Sequence, residues 1–354
     1  MRFRKFLKSN WFALVTIILT VIVFIGVVRS NNGQTEFIEK LRSFDLLWLL
    51  AAMLLIFVYW LFDAFTINII SRSMYPKFSF VESFKNAMIG LLYSALTPFA
   101  TGGQPMQVYE MSKKGVKTGD GVSIIIVKSV IFQVGMILFA VLATIFGWSY
   151  FLREIDNFEI FVSLGFATNI IFVAALMLIC LNVSFTKKMV SVFVRLLGKI
   201  RIFKDPDLTC ERANTQMDVF KESLVRLAKN TRLIVSCMLT TMLQLCAFYI
   251  IPYCILRGFG VESDAFVLMM FTSALIMMIT AFVPLPGGSG AAESSFYYFF
   301  LVFFDATLVF PALLIWRSVT YYSCIVMGAV VSVWIMLTDR KRDGLKNNTG
   351  DAVR

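Results

Sequence analysis

Apolar residues in this chain come in long unbroken blocks, not in the alternating or one-faced patterns that build a soluble core. Six blocks are long enough to cross a hydrocarbon layer of roughly 30 Å at 1.5 Å per residue. They cover about 11–28, 46–70, 121–148, 160–182, 231–256 and 309–337. Two shorter blocks, about 84–97 and 265–283, each stop at a Pro/Gly cluster: Thr97-Pro-Phe-Ala-Thr-Gly-Gly-Gln-Pro105 and Val283-Pro-Leu-Pro-Gly-Gly-Ser-Gly290. Only a short helix-compatible piece follows each cluster, so both are predicted to be re-entrant helical hairpins. The expected fold class is all-α: a polytopic integral membrane protein with the order span, span, hairpin, span in 11–148 and again in 160–337.

Lys and Arg accumulate on the cytoplasmic side of membrane proteins, and loop charge orients the spans accordingly. The basic N-terminus, Arg72 with Lys77, Lys113-Lys114 with Lys117, segment 183–230 and Asp339-Arg-Lys-Arg342 go inside. The segments around Glu36 to Asp45, Arg153 to Glu159, Arg257 to Asp264, and Asp305 go outside. This places both termini in the cytoplasm and starts the two halves from opposite sides, an inverted repeat of three spans plus one hairpin each. Pro98 then aligns with Pro284, and Gly102-Gly103 with Gly287-Gly288, if one gap is allowed. The chain divides into a first repeat (1–150), a second repeat (151–338) and a cytoplasmic tail (339–354). Segment 183–230, basic with apolar residues at helical spacing, is expected to form one or two amphipathic helices on the cytoplasmic face.

Composition agrees with a bilayer environment: 58% of residues are hydrophobic and 16% charged, against about half and a quarter in soluble domains. The net charge of +11 lies between apolar blocks and not in a stripe of its own, which reads as positive-inside topology and not as nucleic-acid binding. Histidine is absent, so Ser-His-Asp, Cys-His and His-zinc chemistry is excluded. The 6 cysteines are scattered and read as small core residues. No catalytic residue, metal or cofactor is expected, and no phosphate-cradling glycine loop is present. The block at 11–28 lacks a convincing cleavage site and reads as a retained span.

Backbone broken inside a bilayer leaves N–H and C=O groups unsatisfied at several kcal/mol each, so it persists only against protein or a water-filled cavity. Two breaks therefore imply a polar cavity. Gly102, Gly103, Gly287 and Gly288 let a ligand or another backbone come close, and the N–H groups that open the next helix favour an anion such as a lipid phosphate. The alternative is that these glycines only permit tight helix packing. Each hairpin is followed by a carboxylate and then by a cation in the next span: Glu110 with Lys128, and Glu293 with Arg317. Ionisable groups at that depth cost about 2.5–3.5 kcal/mol each and usually pair or line a pathway; fixed structural ion pairs are the alternative. Gln104 and Gln107, with Gln133 and Gln244, offer hydrogen bonds within the cavity, interhelical glue being their default reading. Asp63 reads as a partly solvated helix terminus, the alternative being a proton-linked or substrate-facing carboxylate, and the Tyr321-Tyr322 pair reads as interface or packing aromatics.

Leu96-Thr-Pro-Phe-Ala-Thr-Gly-Gly-Gln-Pro-Met-Gln-Val-Tyr-Glu110 and Val283-Pro-Leu-Pro-Gly-Gly-Ser-Gly-Ala-Ala-Glu293, followed by Trp316-Arg-Ser-Val-Thr-Tyr-Tyr322, resemble the lysylphosphatidylglycerol synthase transmembrane-region proteins. These are the flippase-like half of the multiple peptide resistance factor. The resemblance runs over most of the chain. It implies a bacterial or archaeal protein of the cytoplasmic membrane that moves aminoacylated or otherwise modified lipids between leaflets, with Glu293 and Arg317 at the family's Pro-Gly-Gly…Glu and following Arg signatures. Larger members carry a cytosolic aminoacyltransferase domain after the membrane part; this chain stops fewer than about twenty residues past its last block, and that domain is expected to be absent. The expected function is a flippase-like transporter for a phospholipid or lipid-linked substrate. The alternatives are a membrane-embedded lipid-modifying transferase and a scaffold for a partner glycosyltransferase or synthase. Expected partners are a membrane lipid, a separate lipid-modifying enzyme and a second copy of the chain, with no nucleic acid.

Overall fold

In lipid, backbone polar groups have no water to turn to and must bond within their own segment, so apolar blocks of this length fold as helices. The computed structural model describes residues 34–199, 205–281, 283 and 285–351, and among these it is helical with no strand. The predicted span at 11–28, the basic N-terminus and Pro284 lie outside the described residues.

The chain order is α1 (Gln34–Arg42), α2 (Leu46–Met74), α3 (Phe80–Leu96), a short turn (Pro98–Ala100), α4 (Gly103–Lys113), α5 (Thr118–Glu154) and α6 (Phe158–Leu181). Then come α7 (Val183–Lys199), α8 (Pro206–Lys229), α9 (Thr231–Gly258), α10 (Phe266–Thr280), a second turn (Pro286–Gly288), α11 (Ala291–Phe300), α12 (Ala306–Arg317), a π-helical segment (Ser318–Tyr322) and α13 (Ser323–Asp351). Five stretches are long and apolar enough to cross a membrane: Leu46–Met74, Thr118–Glu154, Phe158–Ile179, Thr231–Gly258 and Ala306–Thr338. They correspond to the predicted blocks after the first. Between 17% and 44% of each stretch's most apolar window is buried in the protein. The remainder, including Leu46, Leu50, Ile145, Phe146 and Ile171, is exposed; only lipid covers that much apolar surface at no cost. The chain is a membrane protein.

Local chemistry sets the ends of the helices. Asp45 caps α2 by accepting from the Leu47 N–H at 2.9 Å, and a reciprocal Ser79–Glu82 capping box starts α3. The longest helix-to-helix contact joins α2 to α9. Around it the packing is exchanged: α3 lies on α13, and α10 lies on α5, so the first arm of each broken helix rests on the long helix of the other half. The main apolar core, with Ile56, Phe151, Phe158, Ile251, Phe296, Phe300 and Trp316, lies among these elements.

Segment 183–230 forms two helices, as expected, but α8 is docked on the body of the protein. The Gly119 N–H donates to Gln216 Oε1 at 2.9 Å, and Ser123 Oγ donates to the Phe220 carbonyl at 2.9 Å. Ser223 donates to Asp120, whose other oxygen takes the Tyr75 hydroxyl at 2.5 Å. Any side chain at Gly119 would meet the α8 backbone, which is why the helices approach so closely there.

Candidate functional site: a cavity between two broken helices

Proline opens each break, and the two turns then repeat one geometry. Thr97 and Leu285 are extended (φ −116° and −112°). Phe99 and Gly287 then take left-handed backbone (φ 53°, ψ 17° and φ 61°, ψ 16°). Ala100 and Gly288 follow at φ 54° and 63°. The hydrogen bonds match as well. The Ala100 N–H donates to the Thr97 carbonyl at 3.2 Å and the Gly288 N–H to that of Leu285 at 3.0 Å. The Thr101 and Ser289 hydroxyls return to the Pro98 and Pro286 carbonyls at 3.0 and 2.8 Å. The register is thus ungapped and pairs Pro98 with Pro286, correcting the sequence alignment that set Gly102-Gly103 against Gly287-Gly288. Backbone shape, not glycine position, is what repeats.

The two turns touch each other and, together with residues of α2, α3, α5, α9 and α10, line an open-mouthed cavity of 420 Å³. Its wall carries two cations. On one side Lys128 Nζ meets Asp63 Oδ2 at 2.7 Å, while Gln244 Nε2 donates to Asp63 Oδ1 at 3.1 Å. On the other side Arg317 Nη2 lies 2.8 Å from Glu293 Oε1, and Nη1 donates to the Gly287 carbonyl at 3.2 Å. The guanidinium sits between the rings of Trp316 and Tyr321, at 5.1 and 5.3 Å from their centres.

Several sequence expectations are corrected here. Glu110 does not pair with Lys128: it binds Lys113, one helical turn on, at 2.8 Å, and is absent from the cavity wall. Lys128 takes Asp63 instead, because α2 lies beside α5. Asp63 is therefore no solvated terminus; it is 2% exposed. The N–H groups expected to meet an anion are partly engaged, that of Gly102 by Thr97 Oγ1 at 2.8 Å and that of Gly290 by Glu293 Oε2 at 2.5 Å. That leaves charge recognition to the side chains.

Of the predicted residues, Gln104, Gln107, Lys128, Gly287 and Arg317 line the cavity. Gln104 Nε2 donates to Ser129 Oγ at 3.2 Å. Gln107 and Asn86 exchange bonds to each other's backbone at 3.3 and 2.8 Å, binding α4 to α3. Gly102, Gly103, Gly288 and Glu293 stand behind the wall. Gly103 is a packing glycine, since a Cβ there would strike the Gly90 carbonyl. Gly287 is confined twice, by its positive φ and by the Tyr321 ring lying on it. Tyr321, read from sequence as a packing aromatic, also lines the cavity, and its hydroxyl donates to the Ala95 carbonyl at 3.1 Å. One ring thus spans from the end of α3 to the second turn.

Among the described side chains with buried unpartnered donors, Arg317 is the cation: it is 8% exposed, and its Nε has no hydrogen-bond partner. Its Nη2 meets Glu293 closely but without hydrogen-bond alignment. A buried guanidinium normally fills its donors. Here the spare capacity borders a cavity whose lining is largely apolar but carries both cations, and the chemistry it fits is a planar or tetrahedral oxyanion.

A cation-bearing pocket that touches both Pro/Gly turns is the kind of place where membrane proteins put functional ionisable groups. The chain belongs to the family described as the lysylphosphatidylglycerol synthase TM region, which it matches over residues 11–328. It is also similar to a UPF0104 membrane protein of Archaeoglobus fulgidus, 27% identical over 329 residues, covering 90% of this chain and 94% of the relative.

Proposed function

We propose that this protein is a flippase-like transporter. In this reading it binds a phospholipid or lipid-linked substrate, aminoacylated phospholipids included, by the head group and carries it across the cytoplasmic membrane. The observation that carries the proposal is the under-bonded Arg317 guanidinium at a cavity walled by both helix breaks. A phosphate would satisfy Arg317, with Lys128 as the second cation, while Asp63 and Glu293 offset the two positive charges. The exchanged packing of the two halves supports an inverted repeat, with rocking of the halves about the paired turns as the transport motion. Both termini face the cytoplasm in this arrangement, and a separate enzyme supplies any aminoacylated substrate.

The test is reconstitution in vesicles with fluorescently labelled lipids, reading leaflet exchange. Exchange faster than in protein-free vesicles is expected for phosphatidylglycerol or its aminoacyl esters, and at least tenfold slower with Arg317→Gln. No exchange for any anionic or aminoacylated lipid overturns the reading. A membrane-embedded transferase would instead need Asp63 or Glu293 as a base; both carboxylates are held by cations. Lipid analysis of a deletion strain separates the two, because a transferase changes the product list and a translocase does not.

A further inference from the structure

The two turns share one backbone, yet differ where the backbone is most demanding. The second turn fills its left-handed positions with Gly287 and Gly288; the first fills them with Phe99 and Ala100. Glycine is the residue that takes this conformation freely, and a bulky aromatic is among those that take it least readily. The turn's own hydrogen bonds do not call for the ring, since the same set forms in the second turn over glycines. Core packing does not repay it either. Phe99 is 52% exposed, and in the described aromatic pairs it has no partner ring. What the ring does do is line the same cavity as Gln104, Lys128 and Arg317. Strain that persists at a cavity wall, unrewarded by the fold, marks a side chain kept for a ligand.

We propose that Phe99 recognises the acyl-chain root of the bound lipid, the glycerol ester and first methylenes, while the cations hold the head group. The assignment rests on the lipid reading given above and deepens it. The polar groups of the chamber are spoken for by a head group; an exposed aromatic at its wall suits the apolar segment joined to that head group. A free water-soluble phosphate would gain nothing from the ring. Phe99 is thus the residue that tells a lipid from its soluble head group.

The experiment uses the full chain in phosphatidylcholine nanodiscs, with two probes: dihexanoylphosphatidylglycerol, and glycerophosphoglycerol, which shares the head group and lacks the chains. Phe99→Gly is expected to leave the unfolding temperature unchanged or raised, because left-handed strain is relieved. It should weaken dihexanoylphosphatidylglycerol at least tenfold and leave glycerophosphoglycerol within twofold. Phe99→Leu, which keeps an apolar side chain, should stay within about threefold of the natural protein for both. Equal effects of Phe99→Gly on the two probes, or none on either, overturn the proposal, as does a lowered unfolding temperature, which would make the ring a packing element. If the natural protein binds neither probe, the head-group reading fails with it. If it binds both alike, the head-group reading stands and only the role of Phe99 is lost.

Discussion

Asp63 and Lys128 show how a single residue's environment decides its role. Each would cost several kcal/mol alone in an apolar surrounding, and each is tolerable because the other lies 2.7 Å away. Removing one partner leaves the other buried and uncompensated, a loss of about 3–5 kcal/mol. Asp63→Asn should therefore destabilise the detergent-solubilised protein strongly, while Asp63→Asn combined with Lys128→Met should recover part of the loss. A thermal-unfolding double-mutant cycle measures that coupling; additive effects would show that the pair is not formed. Tyr75 lies outside the spans, and its phenol is pushed above the usual tyrosine range by burial and by the Asp120 carboxylate that accepts its proton. Folding thus favours the protonated form. That contribution is complete below pH about 10 and is lost as pH climbs through the raised value. Tyr75→Phe should flatten the alkaline fall of stability, measured as unfolding temperature between pH 8 and 11.

At the scale of elements, the breaks in α3–α4 and α10–α11 are where continuous helical bonding is interrupted. Each turn compensates with its own carbonyl bonds, and the two turns shelter one another. Left-handed backbone costs a residue with a Cβ about 1–2 kcal/mol. Gly288 faces comparatively open space and Gly287 the Tyr321 ring. Gly288→Ala should therefore cost about that amount, and Gly287→Ala clearly more, in the thermal unfolding of the full chain. Equal losses would mean that the ring does not pin the second turn. The proline clusters were legible in the sequence as breaks because proline removes a donor and glycine accepts positive φ. Their register was not. The first turn reaches the same shape with Phe99 and Ala100, so matching glycines to glycines selected the wrong pairing.

At the scale of the whole molecule, α5 joins the cavity to α8. That helix carries Lys128 and Ser129 on the cavity wall and holds α8 through Gly119, Asp120 and Ser123. Asp120→Ala should loosen α8, seen as faster amide exchange over 206–229, with the cavity left intact; unchanged exchange would show that apolar packing alone seats the helix. The long apolar blocks after the first, the two breaks, the basic segment and the Glu293–Arg317 pair were all readable from the chain. Each is a local matter of hydropathy, backbone chemistry or neighbouring charge. Which carboxylate meets Lys128, and where α8 docks, depended on helices distant in sequence coming side by side. Charge and hydropathy along a chain say that a buried ion must find a partner, and only packing in three dimensions says which one is within reach.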